Sequence, residues 1–294
     1  MTPSTGQPTS DTQAVLAMDV GGTHLRFALG DLTGQLTSRH RESIDQHNPV
    51  RQILRTVQHA ERNLGQSLQH VVIGVAGVVQ GDQLYDAPNL TALQTSGALG
   101  QLRNALPCPV TFINDANLAA LGENLPDLAF IALGTGLGCG FVRGGKIMSG
   151  SRGRAGELGL LPYASEVGST LEEVLSGPGI ERLYALYGGS GDAHLALADP
   201  GEAALRTREV ITDALSFLLS TIALSFDPEH LIFGGGVGLR CGPLLHSAWA
   251  DACVRGIEMP IPRLTQLGDD AALRGGLHLA SRLAQANKDT HDHQ

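Results

Sequence analysis

The stretch AMDVGGTHLRFALGD, residues 17–31, decides how this 294-residue chain is read. An apolar run ends in Asp19, crosses Gly21, Gly22 and Thr23, and restarts as an alternating segment. Residues 14–20 predict a strand and residues 21–23 a tight turn. In the predicted second strand, residues 24–29, Leu25, Phe27 and Leu29 alternate with His24, Arg26 and Ala28, the period of a half-buried strand. Gly-Gly between two such runs is a strong hairpin signal. A carboxylate beside so bare a turn needs a reason. Exposed backbone N–H groups in a glycine turn form an anion-binding nest. Asp19 would repel phosphate unless it serves as the outer-sphere partner of a bridging Mg2+.

Glycine is the compositional outlier, at 38 of 294 residues, well above the usual ~7%. The glycines cluster at residues 21–22, 134–140, 144–145, 234–238 and 275–276, each next to an apolar run. Glycine at a strand end marks a tight turn or close approach to a ligand, and five such places suggest one extended ligand. The formal charge of −9, with no Lys/Arg cluster, argues against nucleic acid as a main partner. No run approaches the roughly 18 apolar residues of a membrane span. Residues 1–13 lack the basic and apolar regions of a signal peptide and read as a disordered leader; residues 287–294 read as a fraying tail. Cys108, Cys139, Cys241 and Cys253 are widely spaced, which predicts free, mostly buried thiols and a cytoplasmic location.

Along the chain, residues 49–64 carry Ile53, Leu54, Val57 and Ala60 at helical spacing and stop at Gly65. Short strands are expected at 70–75, 110–113, 128–133 and 230–233, the longest helix at 207–226, and a final helix at 275–284. Hairpins followed by alternating strands and helices occur twice, as if the halves were distant copies. The fold class expected is α/β, with two α/β domains flanking a central cleft. A small domain would take 14–117 plus about 277–288, and a large one 118–276.

Among phosphate motifs, GFVRGGKI (140–147) nearly matches a P-loop, but Ile147 stands where a hydroxyl must hold Mg2+, so it reads as a hairpin. No G-x-G-x-x-G is present. Gly134, Thr135 and Gly136 offer a second nest with a hydroxyl. In INDAN (113–117), Asp115 at a strand's carboxyl end could take a proton from a substrate hydroxyl attacking a phosphate. On local pattern alone, Asn114 or Asp115 reads more readily as a helix cap. Glu157 in AGELG, and Glu172 and Glu173 in TLEEVLSG, could bind sugar hydroxyl pairs. Isolated carboxylates at such places are usually solvated or capping.

Taken together, DVGGTHLRFAL, APNL, INDANLAALGE, LGTGLGCGFV, GELG, TLEEVLSG and LIFGGGVG follow the order and approximate spacing of the ROK sugar kinases, and the chain resembles them from about residue 14 to 284. The resemblance implies the actin/hexokinase (ribonuclease H-like) fold and an ATP-dependent hexose kinase. Gly21, Gly22 and Thr23 would hold the β- and γ-phosphates with Asp19 near Mg2+, and Gly134, Thr135 and Gly136 would form the second phosphate turn. Gly234, Gly235 and Gly236 would pass beneath the adenosine. Asn89, Asn114, Asp115, Glu157 and Glu172 would line the sugar pocket, with Asp115 as general base. A homodimer through the larger domain is also implied.

The chain departs from the family in one coordinated way. Members commonly read GE-x-GH followed by C-x-C-G-x-x-G-C-x-E, whose histidine and cysteines bind zinc. Here Leu160 replaces the histidine and LPYASEVGSTLEE holds no cysteine, so no zinc is expected. The first expectation is a glucokinase acting on the 6-hydroxyl of glucose. Alternatives are a kinase for mannose, fructose or an N-acetylhexosamine, which Leu160 keeps open, or one using polyphosphate as donor. A third is a non-catalytic sugar-responsive regulator. Eighteen residues before Asp19 are too few for the DNA-binding module such regulators carry, and the retained Asp19 and Asp115 favour catalysis.

Overall fold

The computed structural model describes residues 13–65 and 67–291. Cα packing divides the chain into two compact units: residues up to Asn114 with those from Gly276 onward, and Asp115–Gly275. The leader expected over residues 1–13 lies outside the described residues apart from Gln13.

In the first unit, β1 (Ala14–Val20), β2 (His24–Asp31) and β3 (Leu36–Ser43) form an antiparallel meander. β4 (Leu68–Val75) and β7 (Val110–Asn114) extend the sheet in parallel from β1, giving the order β3-β2-β1-β4-β7. β5 (Val78–Gln80) and β6 (Gln83–Tyr85) make a separate small hairpin. Every residue of β1 is buried, as expected of a central strand covered on both faces. Helix α1 (Pro49–Leu64) starts where Asn48 accepts the Arg51 N–H at 3.2 Å, and ends at Gly65, whose φ of 67° only glycine adopts cheaply. It lays Ile53, Val57 and Ala60 into the core with α2 (Ala98–Ala105), which adds Leu99 and Leu102.

The second unit repeats the plan. β8 (Asp127–Leu133), β9 (Leu137–Arg143) and β10 (Lys146–Ile147) are antiparallel, and β13 (Leu231–Gly234) and β14 (Arg263–Leu264) run parallel to β8, giving β10-β9-β8-β13-β14. β11 (Pro162–Ser165) and β12 (Gly168–Thr170) pair apart from it. The helices are α3 (Asp115–Gly122), α4 (Leu171–Leu175), α5 (Gly177–Leu186), α6 (Ala193–Ala198), α7 (Glu202–Ser225), the single turn α8 (Gly235–Gly238) and α9 (Gly242–Val254); α10 (Ala271–His291) begins here and from Gly276 onward belongs to the first unit. Ile131 and Leu133 pack one face of β8 against a core shared with Leu215, Leu218 and Leu219 of α7, while Leu128 and Phe130 pack the other.

Several expectations needed correction. The alternation expected in β2 does not set its burial. Leu25 and Ala28 are buried, whereas Phe27 is half-buried and stacks on His40 with ring centroids 4.9 Å apart. β2 lies between β1 and β3, so partial cover on both faces replaces a simple in–out pattern. The final helix begins at Ala271 and continues to His291, through residues expected to fray. Of the five glycine clusters, two do not read as ligand turns. Gly144 and Gly145 form the β9–β10 turn with φ of 58° and 70°. Gly275 sits inside α10, where a Cβ would stand 1.8 Å from the Leu118 carbonyl oxygen of α3. Close helix packing, not a ligand, requires that glycine.

All four cysteines are free. Burial pushes the thiols of Cys108 and Cys241 up to about 12, so neither is a thiolate near neutrality.

His70 is buried on β4 and its Nε2 lies 2.9 Å from Thr111 Oγ1. Burial lowers its pKa from 6.5. A histidine whose folded pKa lies below its unfolded value stabilises the fold above the unfolded pKa, and that stability is lost as pH falls. The urea midpoint is expected to drop as pH is lowered from 6.5, and His70→Gln, which cannot titrate, should flatten that slope. An unchanged slope in the variant would remove His70 as its cause.

Candidate functional site

The two bare hairpin turns occupy equivalent places, one in each unit. In the first, the Gly21 N–H closes the turn on the His24 carbonyl at 2.9 Å. The N–H groups of Gly22 and Thr23 donate to no protein acceptor among the described residues. Two adjacent unengaged donors are what an anion nest requires. Asn89, an expected sugar ligand, packs directly on this turn: a Cβ on Gly22 would lie 2.5 Å from the Asn89 Cβ. Close packing against Asn89 by itself requires glycine at Gly22.

The turn is held from behind by residues that sequence alone did not single out. Gln46 donates its Nε2 to the Gly22 carbonyl at 2.7 Å, and the Ile44 N–H donates to the Thr23 carbonyl at 3.0 Å. Gln52 of α1 in turn fixes this loop, accepting from the Asp45 N–H at 2.6 Å and donating to the Ser43 carbonyl at 2.8 Å. Nothing in the string DQHNP marks Gln46 for this task.

Asp19 is buried, and its Oδ2 lies 3.2 Å from Nη1 of Arg26, its register partner on β2. The alternation of the sequence makes Arg26 only a polar position; the antiparallel register Asp19↔Arg26 is the signal that pairs them. A carboxylate already paired in this way suits a hydrated cation better than direct ligation, which fits the outer-sphere role expected toward Mg2+. Asn114 ends β7 with its Nδ2 donating to the Gly77 carbonyl at 3.1 Å.

In the second unit, the Gly134–Thr135–Gly136 turn is anchored by the Gly177 N–H, which donates to the Gly134 carbonyl at 2.7 Å. The N–H groups of Thr135 and Gly136 have no protein acceptor among the described residues. Glu172 braces the same turn. Its Oε2 accepts the Leu137 N–H at 2.9 Å and would sit 2.8 Å from a Cβ on Gly136. Of the expected glycine run, Gly234 and Gly235 are bare for packing, because a Cβ would meet the Phe130 ring at 2.6 Å or the Leu133 carbonyl oxygen at 2.2 Å. Gly236 alone faces open space, and it lines a cavity with Gly134 and Thr135.

Asp115 opens α3, and its Oδ1 accepts the Ala116 N–H at 2.8 Å. The first turn of α3 rests on β9 at Gly138 and Gly140, where a Cβ would come within 3.2 Å of the Ala116 Cβ and 2.2 Å of the Ala116 carbonyl oxygen. The glycines of GLGCG thus seat the helix that carries Asp115. Glu157 follows Gly156, whose φ of 101°, with a Cβ there falling 2.1 Å from the Cys139 carbonyl oxygen, admits only glycine. The Leu158 N–H closes a tight turn on the Gly156 carbonyl at 2.7 Å. Glu157 lies near enough to Cys139 that its charge adds to the burial raising that thiol's pKa.

The loop from Glu157 to Thr170 is held by hydrogen bonds and apolar packing. Glu173 Oε2 accepts the N–H groups of Ser169 and Thr170 at 2.7 and 3.0 Å in a capping box, which keeps its carboxyl ionised below the usual range. Tyr187 donates to Glu166. Leu158, Leu161, Tyr163 and Val167 pack on the core. Leu160 remains 58% exposed. Among the described residues no cluster of three His, Cys, Asp or Glu side chains could hold a metal. Chelator dialysis is expected to leave Tm within about 1 °C, whereas a structural zinc contributes roughly 10 kcal/mol. Stoichiometric zinc in the purified protein would contradict this.

The sequence profile of the ROK family matches residues 15–283. The chain is 33% identical over 225 residues to the bifunctional enzyme NanE/NanK of Brucella suis biovar 1, covering 72% of this chain but only 43% of that protein. It is 27% identical over 309 residues to a glucokinase of Halalkalibacterium halodurans, covering 89% of this chain and 93% of that one. In structure it resembles the ROK hexokinase of Thermus thermophilus, with a TM-score of 0.79 and 26% identity over 93% of this chain and all of that one.

Proposed function

The chain belongs to the ROK family, and on that footing we propose that it is an ATP-dependent sugar kinase that phosphorylates the 6-hydroxyl of a hexose, with glucose the first candidate. The observation that carries this is the pair of equivalent hairpin turns, each with a threonine and two unengaged N–H donors. That is a design for holding phosphate oxygens rather than for closing a hairpin.

In the reaction, Asp115 accepts the 6-hydroxyl proton as that oxygen attacks the γ-phosphorus. The new O–P bond forms while the bond to the ADP oxygen breaks, and the proton later leaves the carboxylate for solvent. The N–H groups of Gly22, Thr23, Thr135 and Gly136 stabilise charge on the phosphate oxygens, so positioning and electrostatics supply most of the rate. Asp19 would hold the hydration shell of the Mg2+ carried with ATP, which would supply further charge neutralisation. Asn89, Asn114, Glu157 and the Oε1 of Glu172 hold the sugar hydroxyls.

A second substrate reading rests on Leu160. An exposed apolar side chain stands where the family carries a histidine, and it suits a substituent less polar than a hydroxyl, such as the N-acetyl group of an N-acetylhexosamine. A coupled ADP-release assay across glucose, mannose, fructose, N-acetylglucosamine and N-acetylmannosamine separates the two. The highest kcat/KM is expected for glucose; an N-acetyl sugar ahead by tenfold would transfer the assignment to that class. No sugar-dependent release from folded protein that still binds a sugar would favour a regulator.

A further inference from the structure

The carbonyl of one residue and the N–H of the next belong to a single planar, trans peptide unit and point in opposite directions. A hydrogen bond that pins one of them therefore aims the other. In the first unit the Gly22 carbonyl accepts Gln46 Nε2 at 2.7 Å, so the Thr23 N–H points away from Gln46. In the second unit the Gly134 carbonyl accepts the Gly177 N–H at 2.7 Å, and the Thr135 N–H is aimed in the same way. Each threonine N–H is thus set by one hydrogen bond on the carbonyl before it. The two holds differ in kind. Gly177 supplies a main-chain donor at the head of α5, fixed by the fold itself. Gln46 supplies an exposed side-chain donor from the loop between β3 and α1.

A side chain can aim a peptide only if its own backbone is held. Asp45 Oδ1 accepts the N–H groups of His47 and Asn48, both at 3.1 Å, and Gln52 ties Ser43 and Asp45 to α1. The Ile44 N–H pins the next carbonyl, that of Thr23. The Gly22–Thr23 peptide is the one that needs a hold, because glycine beside it leaves it free to turn over. We propose that Gln46 is a positioning residue for phosphoryl transfer, which pins the Gly22 carbonyl and so aims the Thr23 N–H at the transferred phosphate. The assignment rests on the kinase reading above, but its first readout is a bound amide proton rather than turnover.

Amide 1H–15N spectra with and without saturating Mg·AMPPNP read the two turns separately. In the wild-type chain the Thr23 and Thr135 N–H protons are expected to move downfield on binding, as they enter charge-assisted hydrogen bonds. Gln46→Glu keeps the side chain's size but offers the Gly22 carbonyl an acceptor in place of a donor, and Gln46→Ala removes the group. Both variants are expected to lose the Thr23 shift and keep the Thr135 shift. Their kcat should fall about tenfold, a fraction of the roughly 10²–10³-fold that a missing donor to a developing anion costs. KM for the sugar should stay within about twofold, the split expected of an interaction made in the transition state. A Thr23 shift retained in both variants, kcat unchanged in both, or both threonine shifts lost together would overturn the assignment and leave the kinase reading in place. A wild-type chain in which neither threonine responds to Mg·AMPPNP would overturn it along with the phosphate role of the turns. Loss of the Thr23 shift alone, in a protein whose wild type phosphorylates no sugar, would support Gln46 as the residue that aims this N–H and remove the kinase reading instead.

Discussion

Asp115→Asn is expected to lower kcat for sugar phosphorylation by about 10²–10⁴-fold, the usual worth of a positioned general base. The residue has two possible jobs, because its Oδ1 also accepts the Ala116 N–H at the head of α3. Capping alone is worth about 1 kcal/mol of stability. Asparagine caps about as well as aspartate, so the variant separates the jobs: Tm should hardly move while turnover collapses. Asp115→Ala should lose activity to the same degree and also lose the cap's modest stability. Activity within tenfold of wild type in either variant would remove Asp115 as the base.

Gly140→Ala is expected to damage both stability and activity. The added Cβ would stand 2.2 Å from the Ala116 carbonyl oxygen and 2.9 Å from the Asn117 Cα. These are backbone atoms, so α3 itself has to move. Overpacking of this kind costs about 1–3 kcal/mol, a Tm decrease of several degrees for a domain of this size. Asp115 is the first residue of the displaced helix, and a shift of about 1 Å in a catalytic group can cost 10²-fold in rate. Gly138→Ala provides the graded comparison. Its Cβ would meet only the Ala116 Cβ at 3.2 Å, so its effects should be clearly smaller. Thermal unfolding and kcat measured on both variants decide; equal effects would mean that β9 does not seat the helix.

Sequence pattern made some of this visible and hid the rest, for identifiable reasons. The all-apolar run of β1, the Gly-Gly hairpin and the amphipathic α1 with its Asn48-Pro49 start and Gly65 stop are local signals, and each element stands where its signal lies. β3 gave no warning. LTSRHRES is a polar edge strand, exposed over most of its length and specified by pairing with β2. The glycines misled in a physical way: composition cannot distinguish a glycine that faces a ligand from one that lets two backbones touch. Gly236 faces a cavity, Gly235 meets the Leu133 carbonyl, and Gly275 meets α3. Gln46 and Arg26 were illegible because their partners are Gly22 and Asp19, contacts created by a loop and a strand register rather than by spacing along the chain.

The most direct measurement is 31P NMR of the purified protein incubated with Mg·ATP and glucose. The expected result is loss of the γ-phosphate signal and growth of a phosphomonoester at the sugar 6-position, absent when sugar is omitted and absent for Asp115→Asn. A folded protein that binds both ATP and a hexose, yet forms no phosphoester with any sugar of the panel, would contradict the assignment as a sugar kinase.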